Sequence, residues 1–184
     1  MEGDRVKPAL VLLPGLLLDA RLWQAQIEGL GGLAAPWVAD LTRDDTIAGM
    51  ARRVLAHAPA GRFALCGLSM GGYVAMEIMR QASERVARLA LFDTQAIPET
   101  PEATQRRLTQ MRLAKGGKLA LVVESLLPLE LYGQQLEDSR LRDLRKAMAL
   151  SPRGTRKWRR RSEARRSSCS PDAAICLRWK NPSK

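Results

Sequence analysis

The sequence predicts an α/β protein with an open parallel sheet and helices on both of its faces. Four short, mostly apolar runs at residues 8–13, 36–40, 63–66 and 86–92 are predicted strands, and the first shows no alternation, which suits a strand that is covered on both faces. Segments with helical patterns separate these runs, and strands that alternate with helices pair in parallel. Functional groups of such sheets gather at the carboxyl ends of the strands, so the residues that follow each run are of most interest.

The first predicted strand, Pro8 to Leu13, leads into an apolar loop. Asp19 follows the loop and can cap a helix, so we expect a helix from about Ala20 to Leu30. A second strand, from about Pro36 to Asp40, precedes the most regular helical pattern in the chain. That pattern places apolar residues at helical spacing from Ile47 to Ala58. The order of elements up to this point is therefore strand, helix, strand, helix.

The stretch after the third strand carries the strongest functional signal in the chain. The apolar run Phe63 to Cys66 is followed by Gly-Leu-Ser-Met-Gly and then by the helical run Tyr73 to Met79. This strand, tight turn and helix form the context of a nucleophile elbow with Ser69 at its tip. Gly67 and Gly71 suit the turn because strand and helix backbones approach too closely there for a side chain. The alternative role for the serine is to cap the helix.

A fourth strand, Val86 to Phe92, ends at Asp93, and only helical patterns follow Ile97. We expect three helical segments: residues 102–115, residues 119–127 up to Pro128, and a charged helix with Leu141, Leu144 and Met148. Their apolar faces must cover other parts of the protein, and a helical lid over the carboxyl edge of the sheet is the preferred interpretation. Packing on the outside of the sheet is the alternative.

Composition divides the chain into a core at residues 1–97, a helical lid segment at 98–151 and a basic tail at 152–184. Most of the net charge of +11 belongs to the tail, which holds 11 Lys and Arg against 2 Asp and Glu, whereas residues 1–151 hold 19 against 17. A tail rich in arginine and serine, without periodicity, is expected to be disordered. The preferred explanation is an out-of-frame reading of a GC-rich gene, and the alternative is an arm that binds nucleic acid or acidic membrane.

The cysteines and the apolar run near the N-terminus restrict the classes of protein to which the chain can belong. Cys66 lies in a predicted buried strand, and Cys169 and Cys176 have a spacing that matches no usual zinc site, which indicates a reduced, cytoplasmic chain. The apolar run Ala9 to Leu18 is too short to cross a bilayer. We expect no metal, cofactor, membrane span or specific nucleic-acid partner, and the oligomeric state stays open.

Four pieces of the chain together resemble the α/β-hydrolase superfamily, in particular bacterial esterase-like serine hydrolases with a helical lid. The pieces are Leu13-Pro14-Gly15-Leu16, Asp40 at the end of the second strand, Gly67-Leu68-Ser69-Met70-Gly71-Gly72 and Leu89-Ala90-Leu91-Phe92-Asp93. The resemblance covers about residues 8–150 and implies an incomplete α/β-hydrolase fold that is C-terminally truncated or frameshifted. Many relatives have His-Gly where this chain has Pro14-Gly15, a change that preserves the backbone donor of the next residue.

The resemblance implies a role for each residue of the site. Ser69 would be the nucleophile, forming an acyl-enzyme with a small-molecule, ester-like substrate. The backbone N–H groups of Leu16 and Met70 would form the oxyanion hole. Asp93 would be a candidate for the catalytic acid. No cofactor is implied.

The chain departs from the family pattern in its histidine. The family order is serine, acid, histidine, whereas the single histidine of this sequence, His57, precedes Ser69 and is expected on a helix surface. A serine without a base is a weak nucleophile, and loss of one triad member costs on the order of 10⁴ to 10⁶ in turnover. The chain is therefore expected to be nearly inactive. A non-catalytic binding module is the alternative function.

Overall fold

The computed structural model describes residues 6–151 of the 184-residue chain. Strands alternate with helices in the first part of this region, and helices alone follow. The elements are β1 (Ala9–Leu13), α1 (Gln24–Leu30), β2 (Ala35–Val38), α2 (Ile47–His57), β3 (Phe63–Leu68), α3 (Met70–Ala82), β4 (Val86–Phe92), α4 (Pro101–Lys115), α5 (Leu119–Glu130), α6 (Gln134–Glu137) and α7 (Ser139–Ala149). The predicted basic tail, with Cys169 and Cys176, lies outside the described residues.

The four strands form one parallel sheet in the order β2-β1-β3-β4. Leu13 at the end of β1 lies opposite Gly67 of β3, and Leu68 at the end of β3 lies opposite Phe92 of β4. The carboxyl ends of these three strands are therefore side by side. The predicted open parallel sheet is confirmed.

The strand order reverses at β1, which makes this strand the switch point of the sheet. The chain moves from β1 outward to β2 and then crosses back to β3, on the other side of β1. Because parallel crossovers are right-handed, α1 lies on one face of the sheet, and α2 and α3 lie on the other. The loops after β1 and β3 leave towards opposite faces, and the crevice between such loops is where open α/β sheets bind ligands.

A buried apolar cluster joins α2 and α3 to one face of the sheet. Its members come from strands and helices alike: Val11, Leu13, Phe63 and Leu65 from the strands, Met50, Ala51 and Val54 from α2, and Val74, Ala75 and Ile78 from α3. The α2 helix begins where the sequence predicts, because the Thr46 hydroxyl accepts a hydrogen bond of 3.0 Å from the Gly49 N–H. This packing fixes α3, and with it the turn that precedes α3, on the sheet.

The segment predicted as one helix from Ala20 to Leu30 is divided in two. Ala20–Trp23 form a 3₁₀ turn, and α1 begins only at Gln24. The predicted capping role of Asp19 is confirmed, since its carboxylate accepts from the Arg21 N–H at 3.0 Å. A cap followed by a tight 3₁₀ turn is a common way to begin a helix.

The turn after β3 is shorter than the sequence suggests. The strand continues to Leu68, beyond the predicted end at Cys66, and α3 begins at Met70, three residues before the predicted start at Tyr73. Ser69 alone changes the direction of the chain. The glycines of this stretch obscured both boundaries, because glycine is unfavourable in strands and helices when local propensity alone is considered.

The helices after β4 differ from the prediction in three respects. The α5 helix does not end at Pro128 but continues to Glu130, because a proline near the end of a helix removes only one backbone hydrogen bond. A further one-turn helix, α6, precedes α7. On α7, Met148 is buried as predicted, whereas Leu141 and Leu144 are partly exposed and Arg145 is buried instead.

Candidate active site

Ser69 forms the whole of the turn between β3 and α3. Its backbone lies at φ 52° and ψ −115°, a conformation that costs roughly 1–3 kcal/mol for a residue with a side chain. Its N–H donates to the Phe92 carbonyl, and its carbonyl accepts from the Gly72 N–H and from Thr94 Oγ1, each at 2.9 Å. These three hydrogen bonds hold the strained turn, and strain of this kind is concentrated at functional sites.

Close backbone contacts explain the two elbow glycines that the sequence predicts. A Cβ atom at Gly67 would lie 2.5 Å from the carbonyl oxygen of Gly71, and one at Gly71 would lie 2.2 Å from the carbonyl oxygen of Leu13. The first turn of α3 therefore rests directly on the end of β1. This approach brings Met70 beside the loop that carries Leu16, so the two predicted oxyanion donors lie at the same edge of the sheet.

Sequence reasoning missed the pair formed by Gly72 and Thr94. A Cβ atom at Gly72 would lie 2.5 Å from both Oγ1 and Cγ2 of Thr94. The absence of a side chain at Gly72 thus admits Thr94 against the elbow, where its hydroxyl reaches the Ser69 carbonyl. The available signal was a second glycine after the elbow pattern combined with a threonine two residues after the fourth strand.

The loop after β1 forms a tight turn that presents Leu16. The Leu18 N–H donates to the Gly15 carbonyl at 3.3 Å, and Leu17 has a positive φ of 59°. Among residues 6–151 the N–H of Leu16 has no acceptor. This N–H is one of the two oxyanion donors that the sequence predicts.

Helices α4, α5 and α7 pack against this loop. Leu17 belongs to a second buried apolar cluster, which also contains Ala114, Leu119, Val122, Val123 and Ala149 and is bordered by Leu16. The guanidinium of Arg145 on α7 is buried as well, and its Nη1 donates to the Leu17 carbonyl at 3.0 Å. The sequence does not reveal this role of Arg145, because an arginine on a charged helix usually points to solvent.

A cavity of about 80 Å³ opens beside the loop. Its lining is mainly apolar and comes from residues 14, 15 and 17–20, residues 38–42, Met70, Met148 and Ser151. The cavity therefore adjoins one predicted oxyanion donor and the last helix of the described region. Ser69 borders the same edge of the sheet without lining the cavity itself.

Asp93 is exposed at the end of β4, with a positive φ of 42°. Its chain neighbours Phe92 and Thr94 both form hydrogen bonds with the backbone of Ser69. The structure thus brings the candidate acid and the candidate nucleophile together at adjacent strand ends.

Asp40, after β2, stabilises a local turn. The N–H and Oγ1 of Thr42 donate to its Oδ1 at 2.9 Å and 2.6 Å, and Arg43 donates to its Oδ2 at 3.2 Å. Burial opposes ionisation of this carboxyl group, but the bonds from Thr42 and Arg43 outweigh it and lower the pKa of Asp40. Asp40 is therefore a carboxylate that is already engaged by its own turn.

His57 lies far from Ser69 and on the surface of a helix, where the sequence predicts it. It is exposed in the last turn of α2, and its Nδ1 lies 2.8 Å from the Arg53 carbonyl oxygen. Because α2 runs back across the sheet, His57 is near the start of β3, whereas Ser69 follows its end. The six residues of β3 separate these edges by about 20 Å. Within residues 6–151, then, no histidine reaches Ser69.

The described residues lack the features of a metal site and of a membrane-spanning helix. Residues 6–151 contain no group of three His, Cys, Asp or Glu side chains placed to hold a metal ion. None of their helices has the length and apolar character needed to cross a membrane. Cys66 is half-buried in β3, and this burial raises the pKa of its thiol.

Comparisons with known proteins agree with this geometry. A family model described as the thioesterase domain matches residues 42–181. A pimeloyl-[acyl-carrier protein] methyl ester esterase of Nitrosomonas europaea is 33% identical over 91 residues, which make up 46% of this chain and 36% of that protein. The matched region thus spans little more than a third of the length of this curated relative.

Solved structures show the same architecture. An esterase from Thermogutta terrifontis, solved with malate bound, has a TM-score of 0.67 at 25% identity, covering 83% of this chain and 62% of that chain. MenH from S. aureus has a TM-score of 0.66 at 24% identity, covering 84% of this chain and 66% of that chain. This chain therefore spans less than two thirds of each of these proteins.

Proposed function

This chain belongs to the thioesterase domain family of the α/β-hydrolase superfamily, and on that premise we propose that it cleaves a small-molecule ester or thioester through Ser69. The observation that carries this proposal is the strained backbone of Ser69 at the end of β3, beside the switch-point strand β1. A serine that served only as a helix cap would accept a hydrogen bond from the helix on its side chain, and Ser69 accepts none.

In the proposed reaction, Ser69 Oγ attacks the acyl carbon, and the carbonyl double bond becomes a single bond to an oxyanion. The N–H groups of Leu16 and Met70 donate to this oxyanion, and the N-terminus of α3 favours the negative charge. Collapse of the intermediate breaks the bond to the alkoxide or thiolate. A water molecule accepts the serine proton and passes it to the leaving group, and a second water then releases the acid from the acyl-enzyme.

We further propose that acylation is slow in this chain. The one histidine of the sequence lies at the opposite edge of the sheet from Ser69, so water must accept the serine proton. Loss of a triad histidine costs on the order of 10⁴ to 10⁶ in turnover. Asp93 lies between Phe92 and Thr94, which both form hydrogen bonds with the backbone of Ser69. We propose Asp93 as the acid of the site.

The residues around the loop after β1 favour a substrate with a small acyl group. The cavity of about 80 Å³ adjoins Met70 and is mainly apolar, and we propose that α4, α5 and α7, which border the loop, act as its lid. The name of the Nitrosomonas europaea relative describes a methyl ester carried on an acyl-carrier protein. We therefore propose short acyl esters and acyl thioesters as the substrate class.

Hydrolysis of p-nitrophenyl butyrate and of butyryl-N-acetylcysteamine tests the proposal. The full chain and the Ser69→Ala variant are compared with and without added imidazole, which can replace a missing histidine base. We expect imidazole to raise the rate of the full chain at least tenfold above that of Ser69→Ala. Equal rates for both proteins under both conditions would contradict the proposal.

The position of His57 favours one second candidate, a non-catalytic module that uses the same site to bind an acyl compound. The site would then hold its ligand through the N–H groups of Leu16 and Met70 without cleaving it. Saturable binding of a butyryl amide, combined with no acylation of Ser69 even in imidazole, would select this second candidate.

A further inference from the structure

We propose that Arg145 is a positioning residue for the oxyanion hole, which it serves through hydrogen bonds that extend to the N–H of Leu16. This inference rests on the proposed role of Leu16 as an oxyanion donor. Arg145 and Glu77 are the two charged residues that are buried among residues 6–151, and Arg145 is only 4% exposed. A buried cation requires partners, and the partners of Arg145 are informative.

The guanidinium of Arg145 divides its donors between two different parts of the chain. Its Nε and Nη2 bind both carboxylate oxygens of Glu130 at the end of α5, with Nη2 at 2.8 Å from Oε1. Its Nη1 donates to the Leu17 carbonyl at 3.0 Å. Because the bidentate pair with Glu130 fixes the plane of the guanidinium, the direction of the third donor is fixed as well.

The contact with Leu17 is transmitted along the turn by two peptide groups. In a trans peptide the C=O and the N–H point in opposite directions, and the described chain contains no cis peptide. The Leu17 carbonyl accepts from Arg145, so the Leu18 N–H of the same peptide points away from Arg145, to the Gly15 carbonyl at 3.3 Å.

The second peptide group of this series carries the oxyanion donor. The Gly15 carbonyl is held by the Leu18 N–H, so the N–H of Leu16, on the other side of that peptide, is directed away from the turn. Leu16 N–H is the group that has no acceptor among residues 6–151. The residue with the positive φ of 59°, Leu17, lies between these two peptide groups.

The turn needs such support because its own interactions are weak. A leucine in the left-handed region is strained, and the closing hydrogen bond of 3.3 Å is long. The apolar cluster around Leu17 holds its side chain but does not determine how its carbonyl is directed. Arg145 supplies that direction, and it does so from a helix 128 residues further along the chain.

Three variants of the full chain test the inference. Arg145→Met removes every donor and keeps the apolar stem, and Arg145→Lys keeps the charge and one donor to the Leu17 carbonyl. Arg140→Met is the matched control, since Arg140 lies on the same helix, is 91% exposed and, among residues 6–151, pairs only with Asp138 at the start of that helix. The readouts are amide hydrogen exchange at Leu18 and the kinetics of Ser69 labelling by an alkyl fluorophosphonate.

For Arg145→Met we expect exchange at Leu18 to become at least tenfold faster while exchange in α3 stays unchanged. The maximal rate of phosphonylation should fall at least tenfold with an unchanged half-saturating reagent concentration. Arg145→Lys should recover part of both effects, and Arg140→Met should match the parent chain within twofold. Exchange and labelling of Arg145→Met within twofold of the parent chain would overturn the inference.

Two further results keep the experiment decisive. If the parent chain is not labelled at all, the proposed function fails, and the exchange at Leu18 alone decides on the role of Arg145. If Arg145→Met does not fold, Glu130→Gln replaces it. This variant weakens the hydrogen bonds that orient the guanidinium and leaves Arg145 in place. Exchange at Leu18 that is at least threefold faster in Glu130→Gln supports the inference, and unchanged exchange overturns it.

Discussion

Thr94 Oγ1 donates a hydrogen bond of 2.9 Å to the backbone carbonyl of Ser69. This bond joins the loop after β4 to the elbow after β3 at the point where the backbone is most strained. Gly72 leaves room for the Thr94 side chain, and the Ser69 N–H donates a second hydrogen bond to the Phe92 carbonyl. The geometry of Ser69 is thus set by a neighbouring strand as well as by its own turn.

Replacing Thr94 by valine should loosen the elbow. The variant keeps the shape of the side chain and removes the hydroxyl, so we expect a loss of about 1 kcal/mol in the free energy of unfolding. Labelling of Ser69 by a fluorophosphonate should become severalfold slower. Denaturant unfolding and labelling kinetics measure the two effects. Thr94→Ser should restore both, and Thr109→Val, at an exposed position on α4, should change neither.

Substitution by alanine should have opposite effects on stability at Gly71 and at Gly29. Gly71→Ala would place a Cβ atom 2.2 Å from the Leu13 carbonyl oxygen, so we expect a loss of about 3 kcal/mol or more, or an insoluble protein. Gly29→Ala in α1 meets nothing within 4 Å and should stabilise the chain by up to about 1 kcal/mol. Thermal unfolding compares the two variants, and similar effects of both would contradict the close contact of α3 with β1.

Glu77 should make the stability of α3 sensitive to acid. Hydrogen bonds from Arg80 and then Gln81 outweigh burial and lower the pKa of this carboxyl group below its ordinary value of 4.5. Its contribution is therefore complete above pH 4.5 and disappears as the pH falls through the lower pKa of the folded state. Glu77→Gln should flatten the loss of stability in this acidic range.

The measurement for Glu77 is urea unfolding between about pH 6 and pH 3, a range that spans the titration of a carboxyl group. Glu84→Gln, at an exposed position after α3, is the control and should follow the parent chain. An unchanged slope of stability against pH in Glu77→Gln would show that the buried carboxylate does not contribute in this way.

The edge formed by β4 should promote self-association. Among the described residues β4 pairs only with β3, and its Leu89, Leu91 and Phe92 are 41%, 41% and 48% exposed. An exposed apolar edge is a template for pairing with a second chain. Leu91→Lys should reduce the apparent mass in light scattering, whereas Leu121→Lys on α5 should not. A parent chain that stays monomeric and monodisperse at high concentration would contradict this prediction.

Local sequence signals predicted most of the sheet and the elbow. The apolar run from Val86 to Phe92 gave its strand boundaries correctly, and the glycines at positions 67 and 71 predicted the tight turn around Ser69. Both signals lie within a few residues of the structure that they specify. Thr46, directly before the helical pattern that the sequence shows, caps α2 through an equally local contact.

The features that the sequence did not reveal depend on contacts between distant parts of the chain. Arg145 is buried because Leu17 and Glu130 accept its hydrogen bonds, and no pattern within α7 indicates those partners. Pro128 did not end α5, because the expected break depends on where in the helix the proline lies. The roles of Gly72 and Thr94 likewise depend on the pairing of β3 with β4.

Intact mass spectrometry of the full chain after treatment with an alkyl fluorophosphonate tests the central claim, that Ser69 is a nucleophile, most directly. We expect slow formation of a single adduct that peptide mapping assigns to Ser69. The adduct should be absent from Ser69→Ala and unchanged in Ser125→Ala, a serine whose hydroxyl donates to the Val122 carbonyl on α5. No adduct on the parent chain, or an adduct that persists in Ser69→Ala, would contradict the claim.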